Sequence, residues 1–201
     1  MVAAARTSSL SRACPLRGLN AGAKSAGALA SLPLSFSPSV APACFRTASV
    51  RTSVALSADG NTLAVAAEEL GAVYVFVRSG TTWSEQAYLP GPGRLFGQAL
   101  ALSGDGDTLA VGYVLDDSAA VGVNGDETDP PAPDTGAVHV FARSGTVWSR
   151  QAYVKASNTG VSYAFGFSVA LNGDGNTLAV GAADDSDATG INGDQTGNRP
   201  V

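Results

Sequence analysis

Ser53-Val-Ala-Leu-Ser-Ala-Asp-Gly-Asn-Thr-Leu-Ala-Val65 recurs as Ala99-Leu-Ala-Leu-Ser-Gly-Asp-Gly-Asp-Thr-Leu-Ala-Val111 and again as Ser168-Val-Ala-Leu-Asn-Gly-Asp-Gly-Asn-Thr-Leu-Ala-Val180. A second block follows the first two copies. It runs as Gly71-Ala-Val-Tyr-Val-Phe-Val-Arg-Ser-Gly80 through Trp83 to Tyr88, and as Gly136-Ala-Val-His-Val-Phe-Ala-Arg-Ser-Gly145 through Trp148 to Tyr153. Self-similarity in a fixed order marks a repeat architecture, in which each unit buries its apolar surface only by stacking on its neighbours.

Each unit reads as four short strands. Val54 to Leu56 is the first, Asp59-Gly60 supplies a two-residue hairpin turn, and Leu63 to Ala66 returns as the second. Val73, Val75 and Val77 alternate with Tyr74 and Phe76, a strand covered on both faces. Ser79-Gly80 turns the chain again, and Trp83 to Leu89 forms the fourth strand. Four antiparallel strands of this length make one propeller blade, so the predicted fold is all-β, a partial β-propeller of about two and a half blades. The blades fall at about residues 52–89 and 98–154, with a partial one at 167–198, the whole spanning 52–198. The first two copies of the opening block start 46 residues apart and the next two 69 apart. Nearly all the difference is an acidic insert, Leu115 to Thr135, where the first unit has only Glu68-Glu69-Leu70. Insertions of this kind sit on a rim, where loops vary without disturbing the core. A closed propeller needs at least four blades. The sequence therefore predicts a fragment of a longer protein, a degenerate product, or a chain that self-associates to complete the ring.

Phe165-Gly166, Ser168-Val-Ala, Gly173-Asp-Gly-Asn and Leu178-Ala-Val-Gly-Ala182 together resemble the FG-GAP repeat of the integrin alpha-chain propeller. Phe96-Gly97 with Leu109-Ala-Val-Gly112 is a second copy, with Tyr113 where the pattern has Ala, and the first unit has Arg51-Thr52 in place of Phe-Gly. The recurring Arg-Ser-Gly-x-x-Trp-Ser-x-Gln-Ala-Tyr is closer to bacterial-type secreted or surface FG-GAP proteins. The resemblance implies a non-catalytic binding or structural module that meets a protein or glycan. The alternative is a fragment of a propeller enzyme whose active site lies in other blades.

Integrin-type repeats carry calcium in a nine-residue loop between the first two strands. The matching turns at Asp59, Asp105 and Asp174 are too short to wrap a cation that wants six to eight oxygens, which predicts plain hairpins. The inserts are the better candidates for Ca²⁺. Asp116, Asp117 and Asp126 fall in one and Asp184, Asp185 and Asp194 in the next, each set joined by a Gly-Val-Asn-Gly-Asp or Gly-Ile-Asn-Gly-Asp run. A solvated acidic rim is the competing reading of the same residues. No other cofactor is implied.

His139 is the sole histidine and takes the place of Tyr74, as a strand-surface or inter-blade residue. Without an acid partner or a nucleophile beside it, it does not read as a catalytic group. Trp83 and Trp148 occupy equivalent places, as do Tyr88 and Tyr153, and equivalence across units is the mark of packing. No phosphate-binding glycine motif is present, and the chain is not expected to be an enzyme.

Charge is distributed unevenly. All 17 acidic residues lie at or beyond Asp59, whereas four of the 12 basic ones lie within residues 1–43. That imbalance predicts no nucleic-acid binding, since no basic stripe faces a phosphate backbone. No apolar run is long enough for a membrane-spanning helix. Residues 1–43, rich in Ala, Ser, Pro and Arg, read as a leader outside the fold. A signal peptide ending at Ala41-Pro-Ala43, an organelle transit peptide and an upstream extension without a role all fit it. Localisation is accordingly expected to be secreted or cell-surface, with an organelle as the alternative. Cys14 and Cys44 lie outside the repeats, and their spacing requires no pairing.

Overall fold

The computed structural model describes residues 35–36, 53–129 and 131–183. Among these residues eleven strands form three sheets. The first holds β1 (Ser35–Phe36), β2 (Val54–Leu56), β3 (Thr62–Ala67), β4 (Ala72–Ser79) and β5 (Thr82–Pro90), in the order β1-β5-β4-β3-β2. The second runs β6 (Leu100–Leu102), β7 (Thr108–Tyr113), β8 (Ala137–Ser144) and β9 (Val147–Val154), each beside the next. The third is the pair β10 (Ser168–Leu171) and β11 (Leu178–Gly181). Two four-stranded antiparallel meanders and half of a third are the expected two and a half blades. The added strand is β1, which pairs in parallel with β5 over Ser35↔Thr82 and Phe36↔Trp83. Two residues from the stretch read as a leader thus satisfy part of an edge that would otherwise present unpaired backbone groups.

The opening hairpins differ from the two-residue turn that Asp-Gly predicts. Ser57 N–H donates to the Thr62 carbonyl at 2.9 Å, which leaves a four-residue loop, 58–61, between the closing pair. The Asp59 side chain decides this. Its Oδ1 accepts from Ser57 Oγ at 2.6 Å and from the Asn61 N–H at 2.9 Å, holding the loop open by one residue on each side. Asp105 does the same with Ser103 Oγ at 2.5 Å and the Asp107 N–H at 3.0 Å. The two-residue turns are the later ones, where Ser79 pairs with Thr82 and Ser144 with Val147 around Gly80 and Gly145 at φ 61° and 63°.

Stacking follows from side-chain size. One face of the first sheet is small: Ala55, Ala64, Val73, Val75, Ala87 and Leu89. Against it packs the large face of the second sheet, with Leu100, Leu102, Leu109, Val111, Phe141 and Trp148. The second sheet's own small face, Ala101, Ala110, Val138, Val140 and Ala152, receives Val169, Leu171, Leu178 and Val180 of the third. Every interface is therefore the same contact, small face to large face, displaced by one unit. The linkers contribute as well: Phe96 is fully buried in the first interface, and Gly97 follows it at φ 93° because a Cβ there would lie 2.7 Å from the Cβ of Ala66.

Backbone hydrogen bonds join the units at the opening turns. Ala58 N–H donates to the Gly104 carbonyl at 3.0 Å, and Gly104 N–H donates to the Gly173 carbonyl at 2.7 Å. These three residues are equivalent in the repeat, so the turns form a ladder across the stacked sheets.

Candidate functional site

The insert between β7 and β8 is the largest departure from the repeat, and a buried ion pair organises it. Lys155 follows β9, and its side chain is 0% exposed. Its Nζ lies 2.8 Å from Asp116 Oδ1 and 2.5 Å from Thr135 Oγ1. Asp116 Oδ1 also accepts from the Tyr153 hydroxyl at 2.7 Å and from the Ser118 N–H at 3.1 Å. Thr135 Oγ1 lies 2.8 Å from the Asp116 carbonyl and 3.0 Å from that of Ser118, as donor to them. Both ends of the insert are thus tied to one ammonium group. Burial pushes the Lys155 pKa down, against the opposing pull of Asp116. Burial and the hydrogen bond to Asp116 push the Tyr153 phenol up.

Further bonds give the insert its shape. Asp117 Oδ1 accepts the Asp134 N–H at 2.9 Å, and Ser118 bridges to Pro131. Val123 bridges to Val154, where Asn124 N–H reaches the Tyr153 carbonyl at 2.7 Å and Asn124 Oδ1 accepts the Tyr153 N–H at 3.0 Å. At the tip, Asp126 Oδ1 accepts from Thr128 N–H at 2.8 Å and Thr128 Oγ1 at 2.6 Å, which holds the Asp126 carboxyl below its usual range. Glu127 takes both guanidinium nitrogens of Arg150, at 3.0 and 2.6 Å. Val121 and Val123 point outward and are exposed.

The candidate cation ligands are therefore divided among separate tasks. Asp116 meets a positive charge supplied by the chain itself, Asp117 fixes the stem through Asp134, and Asp126 caps the tip. Among the described residues no group of three or more His, Cys, Asp or Glu side chains is arranged to hold a metal ion. Asp184, Asp185 and Asp194 lie outside the described residues. Lys155 and Thr135 were not singled out by sequence. The available signal was that Lys155 stands where the first unit has Pro90, directly after the Tyr-x pair that ends the fourth strand.

Of its two expected places His139 takes the inter-blade one, in the interior against Phe96 of the first interface. Its ring meets Phe96, Tyr113 and Tyr153 edge-on, with centroids 5.3, 6.5 and 5.4 Å away, and Nε2 has no hydrogen-bond partner. Burial, with Arg150 and Lys155 acting in the same sense and Glu127 and Asp116 against it, lowers its pKa to about 4. A neutral imidazole enclosed by aromatic rings is a packing group.

The Arg-Ser-Gly-x-x-Trp segment forms a clasp. Arg143 lies over the Trp148 ring at 5.5 Å and bonds Asp107 of the opening turn at 2.6 Å. Arg78 lies over Trp83 at 5.7 Å and bonds Asn61 at 3.1 Å. Trp148 Nε1 then reaches across the interface to Gln86 Oε1 at 2.9 Å. Gln86 is the extra residue of a bulge in β5, and the bulge aims its amide at the neighbouring sheet.

No curated protein matches the chain at a significant level. Residues 148–198 match the FG-GAP repeat family, so the chain carries an FG-GAP repeat within an all-β, propeller-like architecture.

Proposed function

We propose that the chain is a non-catalytic binding module of a secreted or surface-displayed propeller protein, akin to the bacterial-type FG-GAP proteins and the integrin alpha propeller. The insert 115–135 is its recognition loop for a protein or glycan. The observation that carries this reading is the contrast within the insert: the buried Lys155–Asp116 pair fixes it, and beside that anchor Val121 and Val123 face solvent from a segment bridged to the end of β9. Loops positioned by a rigid scaffold are where binding residues concentrate. Of the titratable groups in the described interior, His139 is taken up by packing and Lys155 and Tyr153 by Asp116, which favours binding over catalysis.

A glycan array probed with the labelled full chain, beside a Val121→Ser/Val123→Ser variant, tests the reading. Saturable binding to one glycan class, weakened about tenfold in the variant (about 1.4 kcal/mol) at an unchanged melting temperature, is the expected result. Equal binding by both proteins would move recognition off the insert. Turnover of a substrate by the purified chain would overturn the non-catalytic reading.

A further inference from the structure

The stacking that joins the three sheets leaves one unused copy of each of its surfaces. At one end is the large face of the first sheet. Its strand β2 exposes Val54 and Leu56, 56% and 50% accessible, whereas Phe76 on β4 and Trp83 on β5 of that face are already buried. The equivalents of Val54 and Leu56 in the later units, Leu100, Leu102, Val169 and Leu171, all pack on a preceding sheet. At the other end is the small face of the third sheet, where Ala170 and Ala179 are exposed although their counterparts Ala101 and Ala110 are half-buried and fully buried. Among the described residues the third sheet consists of β10 and β11 alone, the equivalents of β2 and β3, so the open half of one sheet faces the open half of the other.

The turn ladder ends in the same way. Its two bonds run from Ala58 N–H to Gly104 and from Gly104 N–H to Gly173, which leaves the Gly173 N–H and the Ala58 carbonyl without ladder partners. One is a donor and the other an acceptor, on opposite ends of the stack. Open space surrounds the position of a Cβ on Gly173.

We propose that the first sheet of one chain stacks head to tail on the third sheet of a second copy, repeating the contact that already joins the sheets within the chain. Gly173 N–H of one copy then donates to the Ala58 carbonyl of the next, and Ala170 and Ala179 receive Val54 and Leu56. Such a contact is heterologous and generates a ring if its rotation closes. Two copies joined twice bring six sheets together, within the range of about four to eight blades that closed propellers use.

Cysteine cross-linking of the full chain tests this, in a Cys14→Ser/Cys44→Ser background. Within the chain, a Cβ on Gly104 would lie 3.5 Å from the Cβ of Ala58, inside the reach of a disulfide, and 2.9 Å from the Gly173 carbonyl oxygen, which must move aside by a few tenths of an ångström. An Ala58→Cys/Gly104→Cys variant should therefore oxidise internally, and by equivalence Ala58→Cys on one chain should meet Gly173→Cys on another. The expected result is a reducible species of two chain masses when the two single variants are mixed, absent when either is oxidised alone. Light scattering of the unmodified chain should show a mass that rises from one chain toward two with concentration. Mixed variants that stay unlinked while the internal pair closes would overturn the proposal. So would cross-linking of either variant with itself as readily as with the other, since that is a symmetric contact. Failure of the internal pair would remove the stacking geometry on which it stands.

Discussion

The first and second sheets share a meander, a bulge position and an Arg–Trp clasp, yet equivalent side chains end in different surroundings. Tyr88 is 49% exposed and Tyr153 is 2% exposed, although both close the same Gln-Ala-Tyr run. The insert makes the difference. It lays Ala120 against Tyr153 and Ala137, and gives the Tyr153 hydroxyl a carboxylate to bond. In the first sheet the short Glu68–Leu70 link has no such reach, and Pro90 stands in the place of Lys155. The same strand chemistry is therefore compatible with a wet edge or a buried ionic one. The connecting loop decides which.

The strongest way to break the comparison is to remove the ammonium that anchors the insert. Lys155→Met leaves the Asp116 carboxylate partly buried beside an apolar chain, and losing one partner of a buried pair costs about 3–5 kcal/mol. The expected outcome is a large fall in the urea midpoint of the full chain. Asp116→Asn keeps the shape and removes the opposite charge, so it should also destabilise strongly. The double variant should cost less than the two single effects added, because the groups are coupled through a 2.8 Å contact.

The second test concerns His139, which occupies the place of Tyr74. Its folded-state pKa of about 4 lies below the ordinary value of 6.5, so between those values the unfolded chain binds a proton that the folded chain refuses. Stability is then full above pH 6.5 and falls as the pH drops toward 4, by about 3 kcal/mol over that window. Denaturant titrations at pH 7 and pH 4.5 should show the loss, and His139→Phe should flatten that limb. Asp59 and Asp105, whose carboxyl pKa values are lowered first of all by the hydrogen bonds from Ser57 and Ser103, act only below that window.

Strand positions were legible because they are written locally. Val73 to Val77 alternates within five residues, and the tripled Leu-Ala-Val block locates the second strands to within a residue or two of Thr62–Ala67, Thr108–Tyr113 and Leu178–Gly181. The opening turn was misjudged at the same scale, because Asp-Gly usually marks a two-residue hairpin while here the Asp carboxylate bonds Ser57 and Asn61. The anchor of the insert was not legible at all. Lys155 and Asp116 are 39 residues apart, and a lone lysine after a strand carries no sign that it will be buried. An acidic run suggests a cation from outside, and sequence alone cannot show that the chain provides its own. β1 was equally hidden, since two residues are too few to show any alternation.

A smaller effect sharpens the comparison at the end of the second strands. Ala66 and Gly112 are equivalent, and both sit against the linker that leads to the next unit. Ala66 fits because its methyl meets Gly97, whereas a Cβ on Gly112 would overlap the carbonyl oxygen of Gly166, a backbone atom that cannot swing aside. Gly112→Ala should therefore cost about 1–3 kcal/mol through overpacking. Ala66→Gly, which removes one fully buried methyl, should cost about 1 kcal/mol. Melting curves of the two variants would reverse that order only if the third unit shifted away from the second, and the loss of the Gly104 N–H bond to the Gly173 carbonyl, followed by hydrogen exchange, would reveal such a shift.

The finest distinction lies between the two tryptophans. Both rings lie under an arginine, so substituting phenylalanine weakens that contact alike in the two sheets and the effect cancels in the difference. Their indole nitrogens do not behave alike. Trp148 Nε1 donates to Gln86, which also takes Arg143 at 3.3 Å, whereas Trp83 Nε1 is buried with no hydrogen-bond partner. A buried donor without a partner already bears its desolvation cost, and phenylalanine removes the donor and the cost together. Trp148→Phe instead deprives Gln86 of a donor at the interface. Trp148→Phe should therefore destabilise the full chain by about 1 kcal/mol more than Trp83→Phe, measured as a difference in urea midpoints at equal m-value. Equal losses would mean that the Gln86 bond adds nothing beyond ring packing. The sheets would then be held by the fit of small face against large face alone, with the bulge at Gln86 contributing only to the twist of β5.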